Sequence, residues 1–223
     1  MLPSLDTRDM RLAVIGAIII QLAVAGMGRS LLGPGGTGEP ATILLAYLVL
    51  PSLAAIIWIW FAAVWSERDG WACLGFARID RRWFIQAVAL GLFSVPATSL
   101  ITALTRPLFG AAKGPALPLA NEQAWSQPSF LLAIFLGIVV LAPLMEETVF
   151  RGLLFGWLRQ RFGLWHAAIL AASAHAALHF DIGALPGLLL LFLFLAWVYE
   201  YSSSLWVPAI IHAIHNFTVL QLS

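Results

Sequence analysis

Between Ala41 and Trp65, and again between Ser129 and Leu144, the sequence carries no charged side chain. A helix needs about 20 apolar residues to cross the ~30 Å hydrocarbon layer, so runs of this kind are the strongest constraint on the chain. Within lipid every backbone N–H and C=O must find its partner inside the segment, which leaves helices as the elements these runs can form. Similar runs occupy Leu12–Met27, Trp83–Leu104, Leu164–His179, Ala184–Glu200 and Leu205–Leu220. With 61% hydrophobic and 10% charged residues the 223-residue chain is far from a soluble composition. The expectation is an all-α, polytopic transmembrane bundle of seven to eight helices enclosing a polar cavity. It forms one domain over 1–223, with a motif-bearing core at about 129–220.

Charge placement narrows the partners. The twelve basic residues are scattered and the net charge is +1, which excludes the basic stripe that nucleic acid requires. The single cysteine, Cys73, matches no disulfide, redox or metal spacing. Arg8 and Arg11 precede the first run, no small-residue cleavage site follows it, and Arg68, Arg78, Arg81 and Arg82 gather between the second and third. The positive-inside rule therefore puts the N-terminus and that loop in the cytoplasm. A Gly/Pro-rich turn at 32–38 and a long connection from Arg106 to Gln127 lie on the other side. Pro51 is expected to kink the second helix. A long helix from about Phe130 to Arg161 is expected to bend at Pro143 and to place its carboxylates below mid-depth.

Against this apolar background stands Met145-Glu146-Glu147-Thr148-Val149-Phe150-Arg151. Ionisable groups at membrane depth cost roughly 2.5–3.5 kcal/mol each on insertion scales, so three together imply a use. On a helix Glu147 and Arg151 are four apart and face one another, acid before base. Glu146 points about 100° away and is left over for chemistry. The alternative places both glutamates at an aqueous helix end. All five histidines follow this heptapeptide. His175 and His179 lie one turn apart, and His212, His215 and Asn216 occupy another helix, so two polar faces can converge on the glutamates.

Three chemistries fit these residue types. Glu146 with His179 can activate water while His212 and Asn216 donate to an oxyanion. Glu146, His179 and His212 can instead bind Zn²⁺, two imidazoles and a carboxylate being a known catalytic ligand set. The same groups can also relay protons or hold an ion in a transporter.

Three segments resemble the CAAX-protease and bacteriocin-processing membrane proteases, also called the Abi or type II CAAX prenyl endopeptidase family. Glu146-Glu147-Thr148-Val149-Phe150-Arg151-Gly152 resembles its glutamate-pair motif. Ala174-His175-Ala176-Ala177-Leu178-His179 sits where the family has phenylalanine, three residues, then histidine. The segment Ser204 to Asn216 resembles the closing motif of histidine, three residues, asparagine. His175 takes the place of the phenylalanine, read either as a packing substitute or as an added polar contact, and His215 has no counterpart.

The resemblance, which covers roughly Pro143 to Phe217, implies an intramembrane endopeptidase with Glu146, His179, His212 and Asn216 as catalytic residues. Glu147, Arg151, His175 and His215 would support them. It implies no cofactor, with zinc on Glu146, His179 and His212 as the alternative. The partners would be the bilayer and a membrane-proximal peptide, with or without a lipid, and the location a bacterial cell membrane. A non-catalytic transporter or bacteriocin-immunity scaffold built on the same cluster is the alternative function.

Overall fold

The computed structural model describes residues 7–32, 39–65, 67, 69–110 and 125–222. The Gly/Pro-rich turn at 33–38, Arg68 and positions 111–124 of the long connection lie outside the described residues. Among the described residues the chain is helical throughout: α1 (Thr7–Leu32), α2 (Pro40–Val64), α3 (Arg81–Phe109), α4 (Pro128–Arg159), α5 (Leu164–Ala177), α6 (Leu185–Ser202) and α7 (Trp206–Leu222). A 3₁₀ turn at Gly70–Leu74 follows α2. Five helices, α1 to α4 and α6, have the length and hydropathy of membrane spans, while α5 and α7 are shorter, with 14 and 17 residues.

The outward faces are apolar, with Leu12, Ile19, Phe84, Phe93, Leu100 and Leu104 all exposed. On a water-soluble protein such continuous apolar surface would be a liability, whereas it is the surface a lipid-embedded bundle presents. The charged ends are tied down locally. Asp80 caps α3 by accepting from the Trp83 amide at 2.8 Å, and Arg159 at the end of α4 pairs with Glu200 of α6 at 2.9 Å. Cys73 is half-buried, its Sγ 3.7 Å from the Ala63 carbonyl oxygen. Burial, then Glu67 and Asp69, push its thiol up to about 11, so it is an inert packing residue.

α4 is the axis of the bundle. The α1–α2 hairpin packs on one side of it through Ala13, Ala17, Ala55, Ile59, Met145, Val149 and Leu153. On the other side, α3, α5, α6 and α7 share a second core around Leu191, Phe192, Leu195, Val207 and Ile211. Lipid supplies no hydrophobic drive for helix association, so close backbone approach matters more than in water. Gly91 of α3 provides one such approach, since a Cβ there would lie 2.7 Å from Ile214 Cβ and 2.9 Å from the Ile211 carbonyl oxygen of α7. Gly187 of α6 meets the Thr98 carbonyl oxygen of α3 in the same way, at 2.9 Å.

At Pro51 and Pro143, where bends are expected, the helix widens and continues. Each proline follows a stretch of π-helix, Leu45–Val49 and Phe135–Leu141, which contains the residue four positions before it. A proline ring clashes with that carbonyl in an α-helix, and widening the turn relieves the clash without ending the helix. A further π stretch at Thr148–Phe155 follows directly after the glutamates. The short α-helical piece Ala142–Glu147 that carries them is thus set between two widened segments.

Gly91→Leu is expected to force α3 from α7, destabilising the protein by about 1–3 kcal/mol through overpacking. Gly26→Leu, where nothing lies within 4 Å, should be neutral. Thermal unfolding of both variants in detergent checks the contrast.

Candidate active site

Glu147 and Arg151 form an ion pair in the interior, Nη1 to Oε1 at 3.0 Å, with side chains 0% and 1% exposed. Helical spacing brings the two together within α4, as an acid–base pair four residues apart should be. Their other partners come from three different helices. His212 Nδ1 of α7 lies 2.9 Å from the same Glu147 oxygen, Arg151 Nη2 donates to the Phe192 carbonyl of α6 at 3.0 Å, and Arg151 Nη1 lies 2.6 Å from His175 Nδ1 of α5. Glu147 Oε2 and Arg151 Nε have no hydrogen-bond partner among the described residues.

Glu146 is separated from this pair and turned to a cavity of about 360 Å³. That cavity is lined by Glu146, His179, His212, His215 and Asn216 among apolar neighbours such as Ile138 and Phe192. The glutamates are therefore inside the bundle, midway along α4, and not at an aqueous helix end. Glu146 Oε2 lies 3.1 Å from His175 Nε2 and 3.8 Å from His212 Nε2. Asn216 Nδ2 donates to the Ile138 carbonyl at 3.1 Å, holding the amide beside the cavity.

Helix α5 stops at Ala177, so His179 sits in the closing turn, one turn on from His175 as its spacing predicts, with the two ring centroids 5.4 Å apart. Its amide donates to the Ala176 carbonyl at 3.1 Å and its Nδ1 lies 3.2 Å from the His175 carbonyl oxygen. The following Phe180 has φ +52°, the left-handed conformation that ends the helix. His215 is held by Ser94 of α3, Nδ1 to Oγ at 2.8 Å, and the Ser94 hydroxyl also donates to the Gly91 carbonyl at 2.7 Å. With its hydrogen spent there, Ser94 accepts from His215 Nδ1–H. Sequence reasoning did not single out Ser94, which lies 121 residues away and in no motif.

The polarity of the remaining contacts follows from the arginine. Guanidinium only donates, so His175 Nδ1 accepts from Arg151, and the hydrogen of the neutral ring is on Nε2, facing Glu146. On His212 the assignment is opposite, because the Glu147 carboxylate only accepts and Nδ1 must be the donor. The His175 ring lies flat between Phe150 and Phe192, with centroids 4.0 and 3.6 Å away and interplanar angles of 6° and 9°. It thus fills the slot of an aromatic side chain and makes polar contacts at its edge.

The family model for type II CAAX prenyl endopeptidase Rce1-like proteins matches residues 128–218. This segment runs from the start of α4 into α7 and holds every site residue above except Ser94. Neither the curated proteins nor the solved structures yield a match.

Breaking the buried pair should be costly. Arg151→Met leaves the buried Glu147 with His212 as its remaining partner, an expected loss of about 3–5 kcal/mol, whereas the double variant Glu147→Gln/Arg151→Met should cost less than the sum of its two single changes. Unfolding midpoints of the three variants in detergent measure this coupling.

Proposed function

We propose that this chain, whose segment 128–218 matches the family model for type II CAAX prenyl endopeptidase Rce1-like proteins, is an integral-membrane endopeptidase that hydrolyses a peptide bond with water activated by Glu146. The observation that carries the reading is the lining of one cavity by Glu146, His179, His212 and Asn216, which come from α4, the turn after α5, and α7. Convergence of a base and donors on one space is what hydrolysis by activated water requires.

In the proposed reaction Glu146, assisted by His179, takes a proton from water as its oxygen attacks the scissile carbonyl carbon. The carbonyl oxygen becomes an oxyanion, stabilised by hydrogen bonds from His212 and Asn216. Asn216 spends one amide hydrogen on Ile138 and keeps the other for this role. His212 spends its Nδ1 hydrogen on Glu147, so to donate through Nε2 it must carry a second proton. That proton also balances the formal charge of Glu146, Glu147 and Arg151, which otherwise sum to minus one. Collapse of the intermediate breaks the C–N bond, and the proton held by Glu146 passes to the leaving amine.

The residues fit a metal ion poorly. Among the described residues, the three groups whose donor atoms lie within 4.8 Å of one another are Glu146, His175 and His179, with His175 where the expected set has His212. His175 offers no lone pair there, since Nδ1 accepts from Arg151 and Nε2 carries hydrogen. His212 Nε2 lies 3.8 Å from Glu146 Oε2, and its ring is oriented through Nδ1 by Glu147. We therefore read the reaction as metal-independent. The substrate class is a peptide or protein segment at the membrane, and the scattered basic residues make nucleic acid an unsuitable partner. The cytoplasmic placement of the N-terminus belongs to the same proposal, resting on Arg8, Arg11, Arg78, Arg81 and Arg82.

The test is cleavage of membrane-anchored reporter peptides by the purified protein in lipid vesicles. Glu146→Ala, His179→Ala and His212→Ala should each lower the rate by at least about 10²-fold, the scale of general acid–base and oxyanion contributions, and Glu146→Ala and His179→Ala should leave the fold intact. Full activity of Glu146→Ala would sink the assignment. A transporter or immunity scaffold would give no cleavage in any form. Treatment with a chelator should leave the rate unchanged, and a loss restored by Zn²⁺ would overturn the metal-independent reading.

A further inference from the structure

The arrangement around His175 carries more than packing. Its ring is 1% exposed and clamped between Phe150 and Phe192, so it has no freedom to rotate out of its plane. Phe192 also accepts from Arg151 through its backbone carbonyl at 3.0 Å, which fixes the guanidinium against the same helix that supports the ring. At one edge Arg151 donates to Nδ1 at 2.6 Å, and at the other Nε2–H reaches Glu146 Oε2 at 3.1 Å. The result is a continuous chain of hydrogen bonds: Arg151 donates to both Glu147 and His175, and His175 donates to Glu146. A phenylalanine in this slot would stack equally well between the two rings. It would offer nothing at either edge.

We propose that His175 is a positioning residue, which sets the rotamer of Glu146 by donating from Nε2 to one carboxylate oxygen. This rests on the reading of Glu146 as general base. A carboxylate on a flexible side chain has several rotamers, and only some place an oxygen at the water it must deprotonate. Occupying Oε2 with a fixed donor leaves Oε1 to face the cavity. The buried ion pair supplies the fixed frame: Arg151 cannot turn without losing Glu147 and the Phe192 carbonyl, and His175 cannot change tautomer without opposing an N–H to the guanidinium. A misplacement of about 1 Å in a reacting group can cost about 10²-fold in rate, so a contact of this kind affects turnover without touching substrate.

The proposal separates the two properties of the ring. His175→Phe keeps the stack between Phe150 and Phe192 and removes both edge contacts. His175→Gln keeps an acceptor for Arg151 and a donor for Glu146. In the vesicle assay His175→Phe should lower kcat by about 10- to 100-fold with KM unchanged, and His175→Gln should recover most of the loss. Equal turnover of wild type and His175→Phe overturns the proposal, as does a loss that His175→Gln leaves unrepaired. Glu146→Ala run beside them separates the two levels: if it cleaves like wild type, the base assignment has failed, and if it is inactive while His175→Phe is fully active, only the positioning role has failed. Should His175→Phe not fold, the ¹⁵N chemical shifts of the His175 ring in the wild-type protein decide, with the signal identified by its loss in His175→Gln. A neutral ring protonated on Nε2 supports the hydrogen-bond chain; protonation on Nδ1, or on both nitrogens, overturns it.

Discussion

An arginine and a glutamate buried together in an apolar bundle form the interaction on which the rest of the site depends. Removing two charges from water costs several kcal/mol per ion, and their attraction returns this only when the remaining hydrogen-bonding capacity is filled. Here it is partly filled from outside the helix that holds the pair, by His212 of α7, His175 of α5 and the Phe192 carbonyl of α6. The pair thus acts as a hub. Four helices must keep their relative positions for Glu147 and Arg151 to remain satisfied, and apolar packing in lipid specifies those positions weakly by comparison.

The hub also accounts for the division of labour between adjacent carboxylates. Glu147 is buried and committed, while Glu146 is turned to the cavity, 22% exposed, and touched at Oε2 by imidazole groups. Adjacent positions on a helix diverge by about 100°, so a pair of neighbouring glutamates delivers one side chain to the interior of the bundle and one to its cavity. The π-helical stretches on either side of Ala142–Glu147 adjust this presentation. π-Helical turns are frequent at functional sites, where an insertion in the helix re-aims side chains. Thr148 contributes locally by donating its hydroxyl to the Leu144 carbonyl at 2.6 Å.

Ser94 and His215 extend the polar lining toward α3, and this is where Gly91 has a second consequence. The Ser94 hydroxyl bonds both the Gly91 carbonyl and His215. Close approach of α3 to α7 at Gly91 is therefore coupled to the position of an imidazole that lines the cavity. Packing and site geometry are the same constraint in this part of the molecule.

How much of this could be read from the chain alone depends on the range of the forces involved. The helical class, the long α4 and the pairing of Glu147 with Arg151 all follow from the apolar runs and from the 3.6-residue period, which act over a few residues. The gathering of polar residues in the last third pointed to the cavity for the same reason: charge in an apolar segment is costly wherever it stands. Contacts between distant segments carried no such signal. That Ser94 holds His215 and that His175 is hydrogen-bonded between Arg151 and Glu146 depend on side chains 24 to 121 residues apart. Sequence by itself determined which groups had to be hidden from lipid; only the tertiary structure decided which of them met, because hydrogen bonds act over about 3 Å and only the packing of the helices brings side chains that close.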